Sequence, residues 1–305
     1  MVYVTDSAAA RYERLAAEPL EHVARSQGGF WRAVRDIVAE RHLLGLLVRR
    51  DIKARYKDSA LGLVWTLINP LVQLIVYYTV MGQILGAARG IDDFAIYVFS
   101  GLTIYALFSE VLSGSTGAIV SNAGLVKKIY VPREVYPLSA VGAGTFTFLV
   151  QVGVLIGATL VLARPPITVD ILYFFPAVLV VLIYGTAFGL LLAALNVYLR
   201  DVQYLTGIVL MLALWASPIV YGWTMVHEVF TRFGWPNWLL EAYTNNPLTL
   251  AVLGFHKAFW ISGSASDYPE GLGLRMLIAI LIGLVLLWIC QRVFARLQGN
   301  FAQEL

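Results

Sequence analysis

The sequence predicts an all-α integral membrane protein: six transmembrane helices, a basic amphipathic interfacial helix before them, and short re-entrant helices between the fifth and sixth spans. Three observations carry the prediction. Of 305 residues, 59% are hydrophobic and only 13% charged, with a mean hydropathy of +0.74, whereas a water-soluble domain carries roughly 25% charged residues. The apolar residues arrive in blocks of twenty or more. That is the length about 30 Å of hydrocarbon requires at 1.5 Å per residue, and a globular core does not need it. Runs such as Ala177-Val-Leu-Val-Val-Leu-Ile-Tyr184 are apolar on every side rather than alternating as a barrel strand would, and a lipid-embedded helix satisfies its own backbone.

Residues 1–29 are polar, lack a sustained period and end in Gln27-Gly28-Gly29. They predict a flexible cytoplasmic arm without the apolar stretch of a cleavable signal. Over 30–58 the pattern changes: Trp31, Val34, Ile37, Val38, Leu43, Leu44, Leu47 and Val48 recur at helical spacing with arginines and lysines between them. This is a basic amphipathic helix on the inner membrane surface. An electrostatic anchor to anionic membrane lipid is the simpler reading, but its junction with the first span through Arg55-Tyr-Lys-Asp-Ser59 also lets it follow motion there. The membrane domain, 61–295, has spans at 61–86, 94–120, 138–163, 171–199, 202–221 and 272–291, and 296–305 form a cytoplasmic tail.

Basic residues fix the orientation, because their excess marks the cytoplasmic side. With both termini inside, seventeen Lys and Arg lie inside and five outside: Arg89, Arg164, Arg232, Lys257 and Arg275. The inner loop 121–137 contains Lys127, Lys128 and Arg133 and is too long for a hairpin turn. A short helical piece with two apolar and two basic residues, stopped by Pro132, projects there as a knob suited to a soluble partner; a solvated loop obeying the charge rule is the alternative. The outer segment 222–270 holds half of the eight tryptophans. An interfacial aromatic belt explains that composition. The run Thr244-Asn-Asn-Pro247, however, reads as an N-cap with Pro at the first helical position, opening a short apolar helix toward Phe259, while Gly234 and Pro236 punctuate a preceding piece. Two half-length elements facing outward make an outer gate.

The chemistry of an enzyme is missing. The single cysteine, Cys290, lies in an apolar run, and His22, His42, His227 and His256 never fall at metal-ligand spacing, so no metal site is expected. The dipeptide Gly-Lys is absent, and with it the phosphate-binding loop of an ATPase. No basic run interleaved with aromatics lies outside the membrane flank, which sets nucleic acid aside. The lone Glu110 in the second span must find a partner, line a wet path or reach interfacial water. Asn69-Pro70 and Ser217-Pro218 each free a carbonyl at membrane depth. Six helices do not readily enclose a wide polar conduit, whereas a two-fold dimer supplies twelve. At that seam Trp65, Asn69, Tyr77, Tyr78, Tyr105, Phe108, Glu110 and Trp215 are the channel-lining candidates, although an aromatic in such a position is more often a packed core residue.

The run Arg50-Asp-Ile-Lys-Ala-Arg-Tyr-Lys-Asp-Ser-Ala-Leu-Gly62, followed by Leu63-Val-Trp65 and Asn69-Pro70, resembles the entry to the first span in permease subunits of type-2 ABC exporters of polysaccharides, including O-antigen, teichoic acid and cell-wall galactan. Ser121-Asn122 through Lys127-Lys-Ile-Tyr-Val-Pro-Arg133 with Pro137 is similar to that family's coupling loop, and Leu199-Arg-Asp201, Ser217-Pro218-Ile-Val-Tyr221 and Asn246-Pro247 recur in its order. The resemblance covers 40–295. It implies a homodimer in the bacterial inner (plasma) membrane, working with two copies of a cytoplasmic ABC ATPase that bind the ATP and Mg, with no cofactor in this chain. The implied cargo is a lipid-linked polysaccharide moved from the inner to the outer leaflet; seventeen Arg against five Lys, with abundant Ala, points to the galactan branch. By the same resemblance Leu125, Lys127, Lys128, Ile129, Tyr130, Val131, Pro132, Arg133 and Glu134 couple to the ATPase, and Arg49, Arg50, Lys53, Arg55, Tyr56 and Lys57 belong to a gate helix whose basic groups attract the lipid pyrophosphate. The chain departs from the family in lacking a second proline after Pro218 and in carrying His256-Lys257 where an arginine is expected.

Rival readings are a type-2 ABC exporter of small molecules, drugs or lipids, with a closed apolar pocket instead of a tunnel, and a membrane glycosyltransferase or polymerase. The second needs an acidic metal-binding pair, and Asp92-Asp93 on the outer side is the only candidate. A purely structural assembly subunit is a third.

Overall fold

A computed structural model describes residues 29–56, 64–84, 86, 90–128 and 131–305, and every structural statement refers to these. The arm up to residue 28, Lys57, Ile129 and Tyr130 lie outside the described residues, as do the side chains of Tyr56 and Asn69. Among the described residues all regular elements are helical: α1 Phe30–Ala39, α2 Arg41–Tyr56, α3 Trp65–Tyr77 running on as a π-helical turn Tyr78–Ile84, α4 Phe94–Ser121, α5 Ala123–Val126, α6 Val135–Val161, α7 Phe174–Tyr198, α8 Val202–Trp215, α9 Trp223–Arg232, α10 Asn237–Thr244, α11 Pro247–Phe259, α12 Leu272–Leu297 and α13 Phe301–Glu304.

Four of these segments are long and apolar enough to cross a bilayer: α4, α6, α7 with the 3₁₀ turn before it, and α12 with its flanking 3₁₀ turns. Two shorter apolar segments, Pro70–Ile84 and Val202–Trp215, accompany them. Helix α4 is the hub, packed against α6, α7 and α11. Its close approach to α7 depends on Gly189, where a Cβ would stand 2.7 Å from that of Ser115; the small residues of the sequence thus serve as helix contacts. One core runs from Phe94 through Val111 and Phe148 to α11. A second gathers Leu47, Ile119, Val126, Tyr136, Val197, Phe294 and Phe301.

Three boundaries differ from expectation. The single interfacial helix over 30–58 is two helices, divided at Glu40, whose φ of −89° and ψ of 18° turn the chain. The fifth span ends at Trp215 instead of 221, so α8 covers about 21 Å at 1.5 Å per residue, short of a bilayer. The proline at 218 removes the amide that would continue it. The terminal residues 296–305 do not form a simple tail: α12 runs on to Leu297, and Phe301 is fully buried in the second core.

Candidate coupling site and seam

Helix α2 lies against α6. Val48 fits the space left by Gly142, where a Cβ would meet its Cγ2 at 2.7 Å. Beside it the Ser139 hydroxyl donates to the Asp51 carboxylate at 2.9 Å, while Arg50 holds the other Asp51 oxygen at 2.6 Å. One turn on, the Arg55 guanidinium reaches Glu110 of α4 at 2.5 Å and lies 3.4 Å from the Thr147 hydroxyl of α6. Of the fates open to an intramembrane carboxylate, Glu110 has therefore taken a partner, and that partner sits on the amphipathic helix. The ion pair joins three helices. Arg49 and Lys53 remain exposed.

The loop after α4 is anchored by the Asn122 side-chain amide, which donates to the Ala118 carbonyl at 2.8 Å. The helical piece is α5, Ala123–Val126, and it ends before the lysines it was expected to include. Val126 is buried and Leu125 packs beside it in the second core, whereas Lys127 and Lys128 are exposed. Val131 returns to the core, and Pro132 follows it, half-buried. The Arg133 guanidinium lies 5.7 Å from the centre of the Phe301 ring, within cation–π range. Glu134 turns inward, only 4% exposed, and accepts a hydrogen bond from the Gln291 side chain at 3.4 Å.

Burial raises the Glu134 carboxyl above its ordinary range, against the lowering pull of its hydrogen bonds and of Arg133. A carboxyl whose folded pKa lies above its unfolded one favours folding below the unfolded pKa, and that contribution is lost as pH rises through the folded pKa. Glu134→Gln is therefore expected to raise the thermal midpoint in detergent by roughly 2–4 °C at neutral pH and to leave it unchanged at pH low enough to protonate the carboxyl. Paired melts at the two pH values check this.

The seam candidates divide. Tyr77 of α3 meets Trp215 of α8 edge-to-face at 6.4 Å, and the Tyr105 hydroxyl of α4 donates to the Leu210 carbonyl of α8 at 2.7 Å. Val72, Ile75 and Val76 of α3 and Ile208, Val209 and Leu212 of α8 are exposed. Trp65 is exposed at the start of α3, Tyr78 leans on Phe94 at 6.5 Å, and Phe108 packs on the first core. Glu110 belongs to the α2 contact.

Where α8 stops, hydroxyls replace the lost backbone bonds. Tyr97 shares its proton between the Pro218 and Tyr221 carbonyls, at 3.1 and 2.9 Å. Tyr243 donates to the Tyr221 hydroxyl at 3.3 Å, and Tyr221 donates to the Trp215 carbonyl at 2.8 Å. Asn246 caps α11 by accepting from the Leu248 amide at 3.0 Å, with Pro247 at the first helical position as the sequence signals. Arg275 binds the Glu241 carboxylate and, at 3.0 Å, the Asn245 side-chain oxygen; its hydrogen bond holds Glu241 below the ordinary carboxylate range. The Asp93 carboxylate is taken up by Arg164 at 3.1 Å and by Ser262.

With this geometry in hand, the chain matches the family described as ABC-2 type transporter over residues 42–260, well over half its length. The chain belongs to the ABC-2 type transporter family. An O-antigen export system permease protein of Myxococcus xanthus is 28% identical over 274 residues, covering 90% of this chain and 99% of that protein. A permease of the same description from Klebsiella pneumoniae is 26% identical over 264 residues, 86% of this chain and 95% of its own length. A polysialic acid transport protein of Escherichia coli matches at 29% over 79 residues, 26% of this chain and 31% of that protein.

The ABC-2 match begins beside α2 and closes at Trp260, so it spans the Arg55–Glu110 contact, the 121–137 loop and the capped start of α11. Sequence reasoning missed two parts of this ABC-2 chain. Tyr97 and Tyr243 read as ordinary aromatics, although a Tyr in an apolar run needs a partner for its hydroxyl. Phe301, a lone large apolar residue in Gln298-Gly-Asn-Phe-Ala-Gln-Glu, was the available signal for a docked terminus.

Proposed function

We propose that this chain is the transmembrane subunit of an ATP-driven exporter that moves a lipid-linked polysaccharide, of the cell-wall galactan type, from the inner to the outer leaflet of the bacterial inner membrane. The observation that carries the reading is the near-complete overlap with the Myxococcus permease for O-antigen export, an overlap that takes in the amphipathic helix, the loop and the outer helices together. In this reading α3 and α8 complete a set of six crossings, α9 to α11 supply the re-entrant outer gate, and both termini face the cytoplasm. Two copies meet along the exposed faces of α3 and α8. Two ATPase subunits dock beneath.

Closure of the ATPase pair pushes on the knob at Lys127, Lys128 and Arg133 and on α2. Because Arg55 is tied to Glu110 and Thr147, a shift of α2 is transmitted to α4 and α6 rather than lost in the interface. The short α8, held at its broken end by tyrosine hydroxyls instead of continuous helix, is the element that yields. The glycan then passes along the Tyr77, Tyr105 and Trp215 wall. The composition supports this division of labour, since a chain without a phosphate loop takes its energy from elsewhere.

The test is the triple reversal of Lys127, Lys128 and Arg133 to Glu in a strain deleted for the gene. Lipid-linked glycan is expected to accumulate on the inner leaflet with the purified complex losing export-linked ATPase stimulation; normal export would reject the coupling role. A deletion strain with unchanged glycan but impaired extrusion of small apolar compounds would favour the small-molecule alternative.

A further inference from the structure

A cavity of about 280 Å³ lies beneath the outer helices, between the start of α4, the turn after α8, helix α11 and the 260–268 loop. It is roughly nine times the liquid volume of one water. Its wall brings together two indoles, Trp223 and Trp260, two carboxylates, Asp92 and Asp267, and the side chains of His256 and Tyr268. The indoles are fixed by their edges: Trp260 donates to the Asp92 carbonyl at 2.6 Å and Trp223 to the Thr244 hydroxyl at 3.0 Å. Asp267 spends one carboxylate oxygen on the Ser264 amide and hydroxyl, at 2.7 and 2.8 Å.

Tyr268 is 9% exposed and its hydroxyl has no hydrogen-bond partner, while His256, completely buried, packs its ring against that of Tyr97 at 3.8 Å. Buried polar atoms are normally satisfied, and exceptions mark places where a partner arrives. The partner's chemistry follows from the rest. Among the described residues Asp92 and Asp267 are the only formally charged side chains lining the space, an arrangement that disfavours an anion and offers acceptors to hydroxyl protons. Indole rings supply apolar area on which the C–H face of a ring can pack. A hydroxyl-rich ring with apolar faces and no negative charge meets all of these conditions.

We propose that this cavity is a binding subsite for a single neutral sugar residue, separate from the α3–α8 seam. It rests on the exporter reading only for the source of the sugar, a residue of the chain in transit. The test uses the full-length chain in nanodiscs, titrated with D-galactose, D-glucose, D-mannose, D-galacturonate and choline while tryptophan emission is followed. At least one neutral sugar is expected to give a saturable change in the millimolar range, with galacturonate at least tenfold weaker because of the two carboxylates. Trp223→Ala is expected to weaken the sugar about tenfold. Asp267→Asn, which keeps an acceptor for Ser264, is expected to narrow the gap between galactose and galacturonate; unchanged melting temperatures verify that both variants fold.

Absence of a saturable response to every neutral sugar overturns the site, as does tighter binding of galacturonate or choline than of any neutral sugar. The two readings fail separately. A wild-type chain that restores glycan export but binds no sugar sinks the subsite alone, while a chain that binds sugar in a strain whose glycan export never depended on it sinks the exporter reading.

Discussion

Arg55→Glu is expected to reduce glycan export at least tenfold while the chain still reaches the membrane. The substitution places two carboxylates where α2, α4 and α6 meet, beside the Thr147 hydroxyl. An unpaired charge at the centre of a membrane helix costs about 2.5–3.5 kcal/mol, and these side chains are 33% and 37% exposed, so the structural cost lies below that figure. The functional cost is larger, because repulsion detaches α2 from α4 at the point where its motion has to be passed on. Glu110→Gln, which keeps an acceptor for Arg55, is expected to fall between wild type and the reversal. The combined Arg55→Glu and Glu110→Arg swap is expected to recover much of the export, since the pair is restored with its ends exchanged. Outer-leaflet glycan in a complemented deletion strain gives the four corners of a double-mutant cycle. A swap as inactive as the single reversal would show that the pair is not the link.

That contact also marks what the sequence could and could not reveal. Helices α4, α6, α7 and α12 were legible because each is a long run apolar on all sides, a pattern only a lipid-spanning or deeply buried helix satisfies. The start of α11 was legible because Asn246 and Pro247 encode a cap locally. The partner of Glu110 was not, since it lies fifty-five positions away and nothing in the spacing distinguishes Arg55 from the other basic residues of α2. The end of α8 was hidden for a related reason. Apolar residues continue through Val220, and the stop is completed by the hydroxyl of Tyr97, more than a hundred residues earlier. The break between α1 and α2 at Glu40 carries no Gly or Pro. In each case the local pattern specified a helix, and long-range polar contacts decided where it ended or what it touched.

The largest effect outside the α2 contact is expected at Phe301. Its ring is fully buried, edge-on to Phe294 at 5.6 Å and to Tyr198 at 6.1 Å, with the Arg133 guanidinium above it. Truncating a buried aromatic to alanine costs about 3–5 kcal/mol. Here the loss falls on the wall against which the 121–137 loop rests, so stability and coupling are expected to fall together. Phe301→Ala should lower the thermal midpoint by about 6–20 °C and abolish export, and a stop after Leu297 should reproduce both. Phe301→Leu separates the two contributions, since it keeps the apolar filling and removes the ring face, whose attraction for Arg133 is worth about 0.5–1 kcal/mol at an exposed site. That variant is expected to melt near wild type while export drops about threefold, because Arg133 then loses the contact that fixes the loop against the membrane domain. Parallel melting and export measurements on the three variants check the assignment. If the stop after Leu297 leaves both unchanged, the terminal helix is not a brace, and the loop draws its rigidity from Asn122 and Val126 alone.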